Sequence, residues 1–259
     1  MWTVLKHRWH AVRQRWQKSV PTPTPTSVTL SPDLVHRLSH EMRTSLTGIV
    51  GYAEFIEEGA EPALVNFTAK IIRESGQELV RSVQSFVDLY QVMASPAQRH
   101  ASEFSVAALV HDLVAQFQTL ADQRDVSLIF NGTQESQSAL MCSDQHRFRQ
   151  MLETLIGFAL RSATRGAVVV VRLALHSPQE VALTIYELGA AAQPVHSQLL
   201  QAFWQDPHYV YQLQEGPGVD MALAKVLVAQ LQGRAVFKTL KGQGDQLRLW
   251  FPLRGDAAM

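Results

Sequence analysis

At 259 residues, with 46% hydrophobic and 18% charged side chains, the chain has ample apolar material for packed cores, which excludes a wholly disordered protein. Lys plus Arg and Asp plus Glu number 23 each, so bulk charge does not argue for nucleic acid or an acidic substrate, and no nucleic-acid partner is expected. One cysteine, Cys142, excludes an intrachain disulfide and a cysteine-based zinc site, and a cytoplasmic location is expected.

Residues 1–20 place Trp2, Leu5, Trp9, Val12 and Trp16 at helical a/d spacing, with Lys6, Arg8, Arg13, Arg15 and Lys18 elsewhere and no acid. Tryptophans on one face and cations on the other suit a basic amphipathic helix in peripheral contact with an anionic membrane at its inner face. The same pattern suits a short coiled-coil leader or a helix docked on the protein itself. No apolar run approaches the roughly 20 residues of a membrane span, and the basic N-terminus lacks the apolar core of a signal peptide. Alternating Pro and Thr over 21–26 favour an extended spacer, and 21–32 is expected to be a linker.

From Asp33 to Glu58 the residues Val35, Leu38, Met42, Ile49 and Ile56 fit a heptad a/d frame, with Ser45 and Tyr52 in the other d positions. His40 then lies at f, furthest from the seam. Gly59 and Pro62 mark a turn. A second helix is expected from Pro62 to Met93, with Ile72, Leu79, Val83, Phe86, Tyr90 and Met93 on a similar frame. Two such helices bury too little alone, so residues 33–94 are expected to pair with a second copy as a four-helix bundle.

After a connector at 95–102 the periodicity changes. Helices are expected at 106–121, 144–163 and 221–231. Strands are expected at 126–130, 139–142, 168–175, 181–186, 235–240 and 246–253. The fold class is therefore α+β: a helical hairpin, then, over 103–254, an α/β sandwich with helices on one face of a sheet.

His40-Glu41-Met42-Arg43-Thr44-Ser45-Leu46 closely resembles the phospho-accepting motif of two-component sensor histidine kinases, His-Glu-x-Arg-Thr-Pro-Leu, with Ser45 in place of proline. The segment order resembles that family as well, and the likeness covers 31–254. The chemistry suits the residue types. Neutral imidazole is well populated near pH 7 and has a nitrogen to attack phosphorus. A neighbouring carboxylate, Glu41, can take the proton from the other nitrogen. Thr44 lies one turn from His40 on the same face. The resemblance implies that it orients water for dephosphorylating a partner aspartate. A surface His-Glu pair on a solvated helix is the bland alternative. The other histidines show no metal-ligand spacing, and no metal site is expected.

The second half is similar to the family's ATP-binding domain but departs at ligand positions. Asp144 to Leu152 resembles the helix that next supplies two asparagines for phosphate and magnesium. Those positions here hold Thr154 and Phe158, and phenylalanine has no oxygen for Mg²⁺. The first glycine box aligns with Glu187-Leu188-Gly189-Ala190-Ala191, where Glu187 replaces the adenine-binding aspartate. The second aligns with Gly216-Pro217-Gly218-Val219-Asp220-Met221, where Asp220 replaces a glycine. A carboxylate there repels phosphate at a helix N-terminus. Glu187, Gly189, Gly216 and Gly218 are thus expected to form a remnant nucleotide site. Phe203 resembles the lid phenylalanine of the family. Mg-ATP is the cofactor the resemblance implies, and these substitutions argue against its efficient use.

The resulting expectation is a dimeric phosphotransfer protein. His40 exchanges phosphoryl groups with a response-regulator receiver domain. The alternatives are an ATP-dependent autokinase, a response-regulator phosphatase acting through Thr44, and a non-catalytic pseudokinase scaffold.

Overall fold

A computed structural model describes residues 32–59, 61–94, 101–188, 194–205, 218–240 and 244–253. The expected amphipathic helix at 1–20 and linker to residue 31 lie outside the described residues, as do Gly189 and Gly216. Among the described residues no helix is long and apolar enough to cross a membrane.

Two long helices form the hairpin, α1 (Pro32–Glu57) and α2 (Pro62–Ala94). Pro32 occupies the first turn of α1, where its missing N–H is no loss. Gly59, at φ +96°, makes the turn that leaves it. The two helices approach closely through small residues. Ser45 is buried, and a Cβ on Gly48 would lie 2.9 Å from Ser75 Oγ. Leu38, Met42, Ile49 and Ile56 of the heptad frame are half-buried. Val35, Tyr52, Val83 and Tyr90, of the same frame, are exposed in the single chain, and Leu89 and Val92, outside it, are buried.

The sheet unit comprises β1 (Ala101–Ser105), α3 (Val106–Gln123), β2 (Ser127–Gly132), α4 (Gln134–Gln137), β3 (Leu140–Asp144), α5 (Gln145–Ser162), β4 (Val168–Ser177), β5 (Glu180–Leu188), α6 (Pro194–Gln205), α7 (Val219–Gln230), β6 (Arg234–Leu240) and β7 (Gly244–Pro252). Strand β1 and helix α6 lie in stretches where the sequence pattern predicts a connector and a lid. Side chains start the helices: Ser105 Oγ accepts from Ala108 N–H at 3.2 Å, and Asp144 Oδ1 from Arg147 N–H at 3.0 Å.

The five-stranded sheet runs β2-β4-β5-β7-β6, and β1 pairs with β3 in a separate ribbon. Only β2 and β4 are parallel, joined by a crossover containing α5; the other neighbours are antiparallel. Period-two alternation sorts the faces. Val169, Val171, Leu173, Leu183, Leu249 and Phe251 are buried with the apolar sides of α3, α5 and α7. Arg172, Thr184, Tyr186, Arg248 and Trp250 line the opposite face.

Helix α7 is apolar nearly all round, with Val219, Met221, Ala222, Leu223, Ala224, Leu227 and Val228 buried. Such a helix needs cover on more than one side. It lies between α5 and α2, and Leu89 and Val92 of the hairpin join the same core as the sheet. Gly233 follows it because a Cβ there would overlap the buried Phe251 ring.

Candidate functional site

Helix α1 presents His40 to solvent with no partner among the described residues. Glu41 is half-buried beside it. Thr44, one turn on, is exposed, and its Oγ1 donates to the His40 carbonyl at 3.0 Å. The three motif residues therefore share one stretch of helix, with the imidazole open to an incoming group.

Glu41 turns toward the sheet unit. Its Oε1 accepts from Val219 N–H at 3.3 Å, the first residue of α7. Gly218, the N-cap, has φ +93° and ψ 173° and supplies no side-chain cap. A Cβ on Gly218 would lie 3.1 Å from Glu41 Oε1. A carboxylate 178 residues away in sequence thus does the work of a local capping side chain. The sign is favourable, because the N-terminal end of a helix carries partial positive charge.

Asp220, the second residue of α7, is held on two sides. Its Oδ1 accepts from Ser85 Oγ on α2, and its Oδ2 pairs with the Arg161 guanidinium at the end of α5. Burial lowers the pKa of Arg161, and the nearby Asp220 and Glu78 carboxylates oppose that shift. Arg124 donates to the Arg161 carbonyl at 3.1 Å, fixing the helix end that carries it. The other end of α7 is tied as well. Gln230 Nε2 donates to the Val92 carbonyl at 2.8 Å, and Gln230 Oε1 accepts from Arg147. Lys225 donates to the Phe203 carbonyl and lies 4.6 Å from its ring centroid, which joins α6 to α7.

The remaining positions assigned by resemblance are engaged elsewhere. Glu187 Oε1 accepts from Thr164 N–H at 3.1 Å and from Thr164 Oγ1 at 3.2 Å. Thr154 Oγ1 donates within its own helix to Gln150 O at 2.8 Å. Phe158 packs against the apolar core. No group of three or more His, Cys, Asp or Glu among the described residues is placed to hold a metal.

Of the expected site residues, His40, Glu41 and Thr44 come together, and Glu41 meets Gly218 across the two units. Glu187 keeps to its own strand end. Sequence reasoning missed Ser85, Arg161 and Gln230. A lone Ser or Arg carries no local signal, although the all-round apolar character of 219–228 points to a helix covered on two sides.

Two family descriptions match the chain. The His Kinase A (phospho-acceptor) domain matches residues 33–94. The histidine kinase-, DNA gyrase B-, and HSP90-like ATPase matches residues 143–255. Circadian input-output histidine kinase CikA of Synechococcus elongatus is 25% identical over 219 residues, 83% of this chain and 29% of that protein. Sensor protein DivL of Caulobacter vibrioides is 29% identical over 225 residues, 86% of this chain and 28% of that protein. The chain thus spans under a third of the length of these two relatives. Among solved structures, histidine kinase ThkA in complex with response regulator protein TrrA aligns with TM-score 0.63 at 14% identity, over 86% of this chain and 61% of that one. Acinetobacter baumannii histidine kinase AdeS aligns with TM-score 0.56 at 18% identity, over 83% of this chain and 98% of that one. These two likenesses speak to the fold. With the phospho-acceptor match on the hairpin that carries His40 and the ATPase match on the helices and sheet docked against it, the chain belongs to the two-component sensor histidine kinase family.

Proposed function

We propose that this protein moves phosphoryl groups between response-regulator aspartates through His40, with little use of ATP. The His40 ring nitrogen attacks the phosphorus of an aspartyl phosphate. An N–P bond forms, the P–O bond to the aspartate breaks, and the aspartate leaves as a carboxylate. The proton on the other ring nitrogen passes to Glu41, or to water when Glu41 caps α7. Reversal on a second receiver returns the group to an aspartate. ThkA, solved in complex with a response regulator, lends support to a receiver domain as the partner.

The observation that carries the reading is the N-terminus of α7. In the family this is where nucleotide phosphate is expected, and here two of the chain's own carboxylates, Glu41 and Asp220, stand at it. An incoming triphosphate meets anions where it needs N–H donors. Phe158 adds no oxygen for Mg²⁺, and Glu187 is already an acceptor for Thr164. The residues present do not fit Mg-ATP.

The active form is a homodimer. Leu46, Val50 and Phe55 on α1 and Phe67, Val80 and Val87 on α2 are exposed apolar side chains, and Val80 is 69% exposed. A second hairpin would cover such a stripe. Residues 1–20 are suited to hold the dimer at the inner face of a membrane.

One experiment tests this reading. Purified protein and its His40→Ala variant are each incubated with labelled Mg-ATP and, separately, with a labelled phospho-receiver. Label on His40 from the receiver alone is expected. Label from ATP on His40 would make the protein an autokinase, and label from neither would make it a scaffold. Thr44→Ala separates transfer from phosphatase action: loss of inorganic phosphate release with transfer retained would assign the phosphatase role.

A further inference from the structure

The open face of the five-stranded sheet carries a hollow of about 570 Å³ lined by Arg172, Thr184, Tyr186, Gln246, Arg248 and Trp250, among others. It lies opposite the face that packs the helices. Register explains its shape. Arg172 on β4 faces Thr184 on β5, which faces Arg248 on β7. The two arginines are therefore two strand spacings apart, about 10 Å, with a threonine hydroxyl between them. In the next row Ala174 faces Ala182, and their small side chains leave the floor open. In the row on the other side Tyr186 faces Gln246.

The charges in this hollow are unequal in what they already do. Beside the hollow, Arg234 is bound by Glu180 through Nη1 and Nη2, and His176 lies 3.9 Å from the same carboxylate. Arg172 has no ion-pair or hydrogen-bond partner among the described residues. Arg248 rests its guanidinium 5.9 Å from the Trp250 ring centroid and has no carboxylate partner there. Two unpaired guanidiniums over one hydroxyl make a recognition site for phosphate oxygens. Tyr186 offers a ring surface beside them, and a hollow of this size is in the range that holds a nucleotide-sized ligand.

We propose that this sheet face binds a nucleoside polyphosphate, with the phosphates between Arg172 and Arg248 and the base against Tyr186. The site is separate from the nucleotide position expected at Glu187. Alternation along β5 places Tyr186 in the hollow and Glu187 on the other side of the strand. Binding there requires no magnesium ligand and transfers nothing to His40.

The test is calorimetric titration of the full chain with ATP in EDTA and, separately, with inorganic pyrophosphate. ATP is expected to bind more tightly than pyrophosphate, and Tyr186→Ala is expected to remove that difference. Arg172→Ala with Arg248→Ala is expected to weaken both ligands by about tenfold or more, with receiver phosphotransfer and the circular-dichroism spectrum unchanged. Glu187→Ala is expected to leave both affinities as they are. No binding of either ligand at millimolar concentration would overturn the proposal. So would affinity that survives the double arginine variant, or that is lost with Glu187→Ala. Equal affinity for ATP and pyrophosphate would remove the nucleoside from it.

Discussion

Asp220 ties α7 to two other helices. A glycine at its position would remove one of the two carboxylates at the N-terminus of α7. The aspartate binds Ser85 on α2 and Arg161 on α5 and so latches α7 to both. The pair with Arg161 is only partly screened, because both side chains are about one-fifth exposed. Asp220→Ala is expected to cost about 2 kcal/mol in urea denaturation, since it leaves a largely buried guanidinium without its counter-ion. Asp220→Ala with Arg161→Met is expected to recover most of that loss. An additive double variant would mean that the pair does not act as a unit. At Glu41, Glu41→Gln is expected to slow transfer from a phospho-receiver by about 10²-fold if its carboxylate takes the His40 proton in the transition state. An unchanged transfer rate would leave Glu41 with the helix-capping role alone.

Helix α7 is the element that joins the two halves. Its first N–H meets α1, its second residue meets α2 and α5, and its last turn meets the Val92 carbonyl. Gly218 permits this because its φ of +93° and ψ of 173° lie in a region that only glycine occupies readily. Gly218→Ala is expected to cost of the order of 1–3 kcal/mol. It should also raise hydrogen exchange at the Val219 amide, because the new Cβ would crowd Glu41 Oε1. Unchanged exchange at Val219 in that variant would count against Glu41 as its cap. The apolar periodicity of 33–93 and the apolar strand segments 168–175 and 181–186 are legible because each is a local pattern set by one element's own geometry. Leu89 and Val92 fall outside the frame because the lower half of α2 serves two partners. There α7 takes one side, and a seven-residue repeat describes only one seam.

Across the whole molecule, Leu89 belongs to the same core as Phe148, Leu183 and Phe251. Leu89→Ala is expected to cost about 2–5 kcal/mol and to lower a single cooperative melting transition. A sheet unit that melts unchanged in this variant would show that the hairpin and sheet are energetically separate. The exposed apolar stripe makes a different statement, about a second chain. Phe67→Asp with Val80→Asp is expected to convert a dimer to a monomer by light scattering, with α7 still docked. A dimer that persists would place the interface elsewhere.

The motif around His40, the helical hairpin and most of the strands and helices, though not β1, α4 or α6, follow from residues close in the chain and could be read in the sequence. Spacing of 3.6 or 2 residues reports which face an element buries, and a short motif carries its own chemistry. What could not be read there is that Glu41 meets Val219, that Ser85 meets Asp220, and that Arg172 and Arg248 share a hollow. These partners lie on different elements, 178, 135 and 76 residues apart. Their meeting depends on how α7 packs against α2 and on the strand order β4-β5-β7, and no local periodicity encodes either. Only the packed chain brings Glu41 to the N-terminus of α7, where Asp220 already stands by sequence.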